Sequence, residues 1–393
     1  MAVTESIASS GFPLGFKFRQ GSSRPAVITG AGHGCFVAEA RHFSAHHQKE
    51  AIVTEGEHGS SWRMTSDEGL HIKGDNLAPF PLGFFNAGLQ ADLAQRIRGL
   101  AQARGMTLSS LTLSCVTGYS MTGSFFQGNG VGAAEPAVIH VYGEGPVHAQ
   151  AFFALVNEAV AASPALASMT QPLANTFALY LNGQRRGVTI LPASTAPSAP
   201  DPLKTYSAPP APLPGSERDL IVKTGITREG PIQIATPAAQ PGAPIVRHVE
   251  GHCVTDLASG DSVTKICLQL PGMSEFALRT STNGKDRAPS GLALLSAGVV
   301  FCYMTQLSRY IDYMKLDIHH MRLVQFAPFA CNDTRGVAEP VDTHLFLHGG
   351  ASDDAFENLM RISATTCFLH ATLHAALALK IYLNNFFERF FKC

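Results

Sequence analysis

The 393-residue chain carries few charges for its length. Asp, Glu, Lys and Arg make up 15% of its residues, whereas roughly 25% is typical of soluble domains. The 29 basic and 30 acidic side chains balance, and neither sign forms a long run. The sequence therefore offers no basic face for nucleic acid and no polybasic strip for a membrane surface. So low a charge content predicts that parts of the protein cover one another.

Three further features are absent from the sequence. The first twenty residues lack a positively charged region followed by an apolar stretch, which predicts a cytoplasmic protein. The longest apolar run, from Gly291 to Met304, is shorter than the roughly 20 residues that a membrane span needs, so it predicts a buried helix. None of the eight cysteines forms a CxxC pair, which excludes a paired-knuckle zinc site and indicates free thiols.

A segment rich in proline and alanine separates two halves of the chain. It has too little apolar periodicity to pack and too many prolines to form a helix or a central strand. We therefore predict a first domain over residues 22–190, a linker over 191–217 and a second domain over 218–393. The length suits two domains that each bury their own core.

The same residue pattern occurs on both sides of this linker. Placing residues 79–92 over 289–302 aligns a proline and an Ala-Gly pair without a gap, and sets Asp92 against Cys302. Further along, a serine aligns with Cys367. Each half then predicts strands, a long helix, strands, a shorter helix and a final strand, which is an α+β unit.

These residues resemble the OsmC/Ohr superfamily, whose members carry one cysteine on a long central helix and a second at the start of a later, shorter helix. The run that ends at Cys302 resembles the family's helix entry, and Ser163-Pro164 resembles its second Cys-Pro with the sulfur replaced. The resemblance implies an α+β fold of two OsmC-like domains that form an intrachain pseudo-dimer, with long central helices packed against antiparallel sheets. It also implies a first domain without the cysteine pair.

The resemblance implies thiol chemistry at Cys302 and Cys367. The Cys302 thiolate would attack an organic hydroperoxide, Cys367 would condense with the resulting sulfenic acid, and a small dithiol would reduce the disulfide. In the peroxidase branch a Glu and an Arg clamp the thiolate. Here Leu292 lies near the position of that Glu, and no arginine lies between Arg247 and Arg279, so the activation of the thiol stays open.

Two other functions fit the same residues. His370 follows Cys367 by three residues, on the same helical face, and His252 lies beside a further cysteine on a predicted strand. A cysteine activated by histidine could cleave an ester or an activated C–C bond of a small apolar carbonyl substrate. A buried cysteine is also a common core residue, so a non-catalytic protein that binds a small ligand is the third possibility.

The sequence predicts no cofactor and no metal ion. The segment from Val27 to Gly34 imitates a dinucleotide-binding loop, but Cys35 occupies the place of its third glycine and no second βαβ unit follows. The predicted partners are a small organic substrate and a possible dithiol reductant, without nucleic acid or membrane. Further self-association of whole chains is left open.

Overall fold

The chain folds into an α+β structure with two large sheets. The computed structural model describes residues 5–44, 47–125, 127–226, 229–232, 245–282, 286–332 and 334–384. The strands are β1 (Gly15–Arg19), β2 (Gly32–His42), β3 (Lys49–Glu55), β4 (Ser61–Ser66), β5 (Ser110–Thr122), β6 (Val131–Ala134), β7 (Val138–Glu144), β8 (Thr176–Leu181), β9 (Gln184–Arg186), β10 (Ile221–Ile226), β11 (Ile245–Thr255), β12 (Asp261–Leu268), β13 (Ser274–Ser281), β14 (Ile318–Asn332), β15 (Arg335–Ala338), β16 (Asp342–Gly349) and β17 (Lys380–Asn384). The helices are α1 (Ile7–Ser10), α2 (Pro81–Ala103), α3 (Ala149–Ala161), α4 (Pro164–Thr170), α5 (Gly291–Met314), α6 (Asp353–Thr366) and α7 (Phe368–His374).

Each sheet contains strands from both halves of the chain. The first sheet has the order β1-β4-β3-β2-β14-β16-β8-β9, with β15 beside β14. The second has the order β10-β13-β12-β11-β5-β7-β17, with β6 beside β5. In both sheets, four antiparallel strands of one half continue into two strands of the other half. A strand of the original half then pairs in parallel, β8 with β16 and β17 with β7.

The ladders that join the two halves have matching registers. The β2–β14 ladder begins at Gly32 and Cys331, the β5–β11 ladder begins at Met121 and Ile245, and each continues over ten residue pairs without a bulge. The residue numbers of corresponding positions therefore differ by 213 between β2 and β11 and by 210 between β5 and β14. The offset of 210 is also the one that aligns the sequences of the two long helices.

The two long helices, α2 and α5, touch through the glycines of the aligned Ala-Gly pairs. A Cβ atom on Gly88 would lie 2.7 Å from the Gly291 carbonyl oxygen and from the Leu295 nitrogen. A Cβ atom on Gly298 would lie 2.8 Å from the Phe85 nitrogen. Only glycine lets the two backbones approach this closely. This steric requirement explains why an Ala-Gly pair occurs at the same aligned position in both helices.

Helix α5 lies in the protein interior, as the apolar run from Gly291 to Met304 predicted. By length and composition it could cross a membrane. The same holds for α3 and α4 taken together as one segment, which is bent by 70° at their junction. The most apolar window of α5 is 100% buried inside the protein. Core helices of this kind bury apolar residues on all sides.

The proline-rich linker packs against the first sheet, contrary to the expectation that it could not. Asp201 pairs with Arg322 on β14 at 2.6 Å. The Tyr206 hydroxyl donates to the Glu39 carbonyl oxygen of β2 at 2.6 Å. These contacts are made by isolated polar and aromatic side chains. Such side chains produce no periodic pattern of apolar residues in the sequence, so the packing could not be predicted from periodicity. At the other end of the first half, β1 pairs with β4 and precedes residue 22, where the predicted domain begins.

Candidate active site

Two cysteines of the second half meet beside the central helix. Cys302 lies on α5, one turn after Gly298, and Cys367 lies between α6 and α7. Both side chains are buried, with exposed fractions of 3% and 0%, and neither forms a disulfide. Cys302 and Cys367 lie close enough for each to shift the pKa of the other, so the structure brings the two predicted sulfurs together.

Cys367 is placed by a break between two helices. It ends α6 and precedes α7 with extended backbone angles, φ −73° and ψ 113°. A glycine-rich turn of the first half supports this break: a Cβ atom on Gly132 would lie 3.2 Å from the Thr366 carbonyl oxygen, and one on Gly130 would lie 3.0 Å from the Thr366 side chain. The first half thus contributes to the position of a cysteine in the second.

His370 contacts Cys367 directly. Its Nδ1 atom lies 3.2 Å from the Cys367 Sγ atom. The ring lies against Phe177 and Tyr303, with centroid separations of 5.5 and 5.0 Å. Its Nε2 atom is buried and has no hydrogen-bond partner among the residues that the structure describes. Packing therefore fixes the imidazole with one nitrogen on the sulfur.

The two sulfurs differ in their affinity for a proton. Burial raises the pKa of the Cys302 thiol well above its usual value, and the neighbouring Cys367 raises it further. Burial also raises the pKa of Cys367, but the hydrogen bond from Cys302 and the charge and hydrogen bond of His370 hold it well below its usual range. The surroundings of Cys367 therefore favour the thiolate and those of Cys302 favour the protonated thiol.

A cavity of about 70 Å³ opens onto Cys302. Cys367 does not line it, so a bound molecule reaches the α5 sulfur first. Glu68 and His71 of the first half line the cavity, as do Arg247 and Arg309 of the second half. Much of the remaining wall is apolar, including Phe80, Leu82, Met121, Leu268 and Phe368.

The carboxylate of Glu68 already has a partner in the protein, and the imidazole of His71 carries no charge. Glu68 pairs with the buried Lys49 at 3.1 Å and accepts a hydrogen bond from Thr305. Burial, together with the nearby charge of Arg247, lowers the pKa of His71 to about 4. His71 is therefore neutral at pH 7, and Glu68 has its own counter-ion.

The two guanidinium groups have few partners. Arg309 donates to Gln306 at 3.1 Å and lies 4.5 Å from the centroid of the Phe125 ring. Arg247 donates to the carbonyl oxygen of the adjacent Val246 at 2.8 Å. Burial lowers the pKa of both arginines. Neither forms an ion pair with a carboxylate in the described part of the chain.

His252 does not reach the cysteine pair. It lies on β11 with its side chain exposed, between Gly251 and Cys253, which are buried. A Cβ atom on Gly251 would lie 2.1 Å from the Asn86 Oδ1 atom of α2, so that face of β11 points at the helix. Because neighbouring residues of a strand face opposite sides, His252 faces away from α2, and its predicted role at the site is corrected.

The corresponding position in the first half holds oxygen atoms instead of sulfur atoms. Ser163 precedes α4 and donates to the Asp92 Oδ2 atom at 2.5 Å. The Ala165 nitrogen donates to the same oxygen at 3.4 Å, and Arg96 pairs with the Asp92 carboxylate at 3.3 Å. The aligned residues thus interact in both halves, but only the second half has thiols at these positions.

Sequence reasoning missed four residues of the cavity. Arg309 follows Cys302 by seven residues, which is two turns of the same helix, so its helical position was a usable signal. Glu68, His71 and Arg247 come from segments far from Cys302 in sequence. Only the packing of the two halves against each other brings Glu68 and His71 of the first half to the thiol.

Comparisons with known proteins give one similarity to report. No family model matches the chain, and no curated protein matches it. Among solved structures, the chain is similar to an OsmC-like hydroperoxide resistance protein from Jannaschia sp. CCS1. The identity is 21%, the match covers 34% of this chain and 90% of the other, and the TM-score is 0.23.

Proposed function

We propose that the chain is a tandem duplication of an OsmC/Ohr-like domain that forms an intrachain pseudo-dimer and reduces small organic hydroperoxides. Three features support the duplication. The ladders between the halves have matching registers, and both long helices have a glycine where they cross. Asp92 interacts with Ser163 in the first half, as the aligned residues Cys302 and Cys367 do in the second. The observation that carries the function is the pair of reduced, adjacent sulfurs, one of which lines a cavity.

The redox cycle uses the two sulfurs in different ways. Cys302 transfers its proton to the Cys367 thiolate and attacks the distal peroxide oxygen, which leaves Cys302 as a sulfenic acid. The alkoxide that is expelled takes the proton back from Cys367 and leaves as an alcohol, so Cys367 is again a thiolate. The Cys367 thiolate then attacks the Cys302 sulfur, a disulfide forms, and the departing hydroxide takes a proton from solvent and leaves as water. A dithiol reduces this disulfide to two thiols and is itself oxidised to a disulfide.

The residues around the pair suit this sequence of steps. His370 stabilises negative charge on Cys367, which makes that sulfur both the proton acceptor of the first step and the nucleophile of the second. Burial of both sulfurs limits the access of water and of further peroxide to the sulfenic acid. We place the protein in the cytoplasm, where a dithiol reductant is available.

The contact between Cys367 and His370 favours a second candidate function. A cysteine paired with histidine can attack a carbonyl carbon, as in thiol hydrolases and C–C bond-cleaving enzymes. Since Cys367 does not line the cavity, this chemistry requires a carbonyl substrate to pass Cys302. A covalent acyl adduct on Cys367, formed without any reductant, would identify it.

Titration of thiols after peroxide treatment tests the redox proposal. One equivalent of cumene hydroperoxide should remove two titratable thiols and produce a Cys302–Cys367 disulfide, identified by peptide mass spectrometry. In Cys367→Ser one equivalent should stop at the Cys302 sulfenic acid, and a second equivalent should over-oxidise it to sulfinic acid. Cys267→Ser, which changes a half-buried thiol on β12, should behave as the wild type. If peroxide leaves every thiol titratable, the proposal is wrong.

A further inference from the structure

Arg247 and Arg309 differ from the buried arginines elsewhere in the protein. Arg63, Arg96 and Arg322 have exposed fractions of 1%, 5% and 6%, and each forms an ion pair with a carboxylate. Arg309 and Arg247 lie partly buried at the Cys302 cavity, and each lacks such a pair in the described ranges. The cavity therefore holds two guanidinium groups that form no ion pair with a carboxylate of the described residues.

The charges around the cavity favour an anion. Glu68 is the one described carboxylate that lines it, and Lys49 lies 3.1 Å away as its counter-ion. His71 lines the cavity as a neutral group with an unpartnered, buried Nδ1 atom. Glu68 also attracts Arg309, but three cations, Lys49, Arg247 and Arg309, share this one carboxylate, so the cavity keeps a net positive charge. Guanidinium groups bind carboxylates through paired, charge-assisted hydrogen bonds.

We propose that Arg247 and Arg309 bind a carboxylate group of the substrate beside Cys302. This inference rests on the proposed function in one respect, since it makes the substrate a hydroperoxide that also carries a carboxylate. The volume of about 70 Å³ admits a compact molecule or one end of a longer one. The apolar wall then holds the carbon skeleton between the anionic group and the peroxide.

A pair of alkylating reagents of nearly equal size tests the charge preference at Cys302. Iodoacetate carries a carboxylate and iodoacetamide a neutral amide, and both transfer a two-carbon group to sulfur with release of iodide. The readout is the ratio of their rates at Cys302, followed by peptide mass spectrometry. We expect this ratio to fall at least about tenfold in the Arg247→Gln/Arg309→Gln double variant, because two charge-assisted hydrogen bonds to the anion are lost.

Two control variants separate a local charge effect from a general one. Arg279→Gln removes an exposed arginine that pairs with Asp219 on the same half, and it should leave the ratio unchanged. Replacement of both cavity arginines by lysine keeps the positive charge, so this variant should retain most of the preference for iodoacetate. An equal ratio in the wild type and in a folded double glutamine variant would overturn the inference.

A binding measurement decides the matter if Cys302 reacts with neither reagent. Propionate should raise the unfolding midpoint of Cys302→Ala more than propionamide does at equal ionic strength, and the double glutamine variant should lose this difference. Equal effects of the two ligands would contradict the inference. Loss of thiols to cumene hydroperoxide without any carboxylate preference would overturn this inference alone. A carboxylate preference without thiol loss would overturn the redox function alone.

Discussion

The crossing of α2 and α5 gives the sharpest test of the packing. Replacing Gly88 by alanine would place a Cβ atom 2.7 Å from two backbone atoms of α5, whereas ordinary contacts lie at 3.4–4 Å. The helices would have to separate by roughly 0.7 Å, since backbone atoms cannot rotate away as a side chain can. Overpacking of this kind costs about 1–3 kcal/mol, and we expect the upper end of that range.

The same substitution elsewhere on α2 supplies a matched control. Alanine gains about 1 kcal/mol of helix propensity over glycine, so we expect Gly88→Ala to destabilise the protein by about 2 kcal/mol in total. A Cβ atom on Gly99 would meet no atom within 4 Å, so Gly99→Ala should stabilise the protein by about 1 kcal/mol. Urea unfolding with a common m-value measures both. Stabilities of the two variants within 1 kcal/mol of each other would refute the described crossing.

Three further predictions concern ionisable groups. Asp92→Ala leaves Arg96 buried without its carboxylate, so unfolding in urea should show a loss of about 3 kcal/mol, and a loss under 1 kcal/mol would contradict the pair. His370→Leu should raise the midpoint of the Cys367 thiolate absorbance, because the charge and hydrogen bond of the imidazole are lost; an unchanged midpoint would count against their contact. His71 has a folded pKa of about 4 and an unfolded value near 6.5, so the unfolded state binds more protons between these values. The stability of the wild type relative to His71→Gln should therefore fall by about 3 kcal/mol from pH 6.5 to pH 4, and a constant difference would be the contrary result.

The sequence was informative wherever function and packing depend on neighbours along one helix. The Ala-Gly pairs aligned because both glycines lie at one helix crossing. Spacing of three residues was enough to place His370 on the same side as Cys367. The apolar run from Gly291 onwards predicted a buried helix for the same reason, since a helix without a polar face must be enclosed.

The strand neighbours could not be predicted in the same way. Residues alternate sides along β11, so the choice of face for His252 depends on which partner covers the strand. That partner is α2 of the other half, which no local pattern identifies. Likewise the protonation of the cysteine pair depends on burial and on His370 together, and the sequence alone shows only that two thiols and an imidazole are available.

The first half contributes to the cavity at Cys302 even though it holds Asp92 and Ser163 where the second half holds the two cysteines. Its strands β5 and β7 complete the second sheet, and its residues Glu68 and His71 line the cavity at Cys302. Its glycine-rich turn packs against the helix break at Cys367. A hydrogen-bonded acid and hydroxyl therefore fill, in the first half, the place that the thiol pair takes in the second. The second half needs the first, because without it Cys302 would lose part of the wall of its cavity.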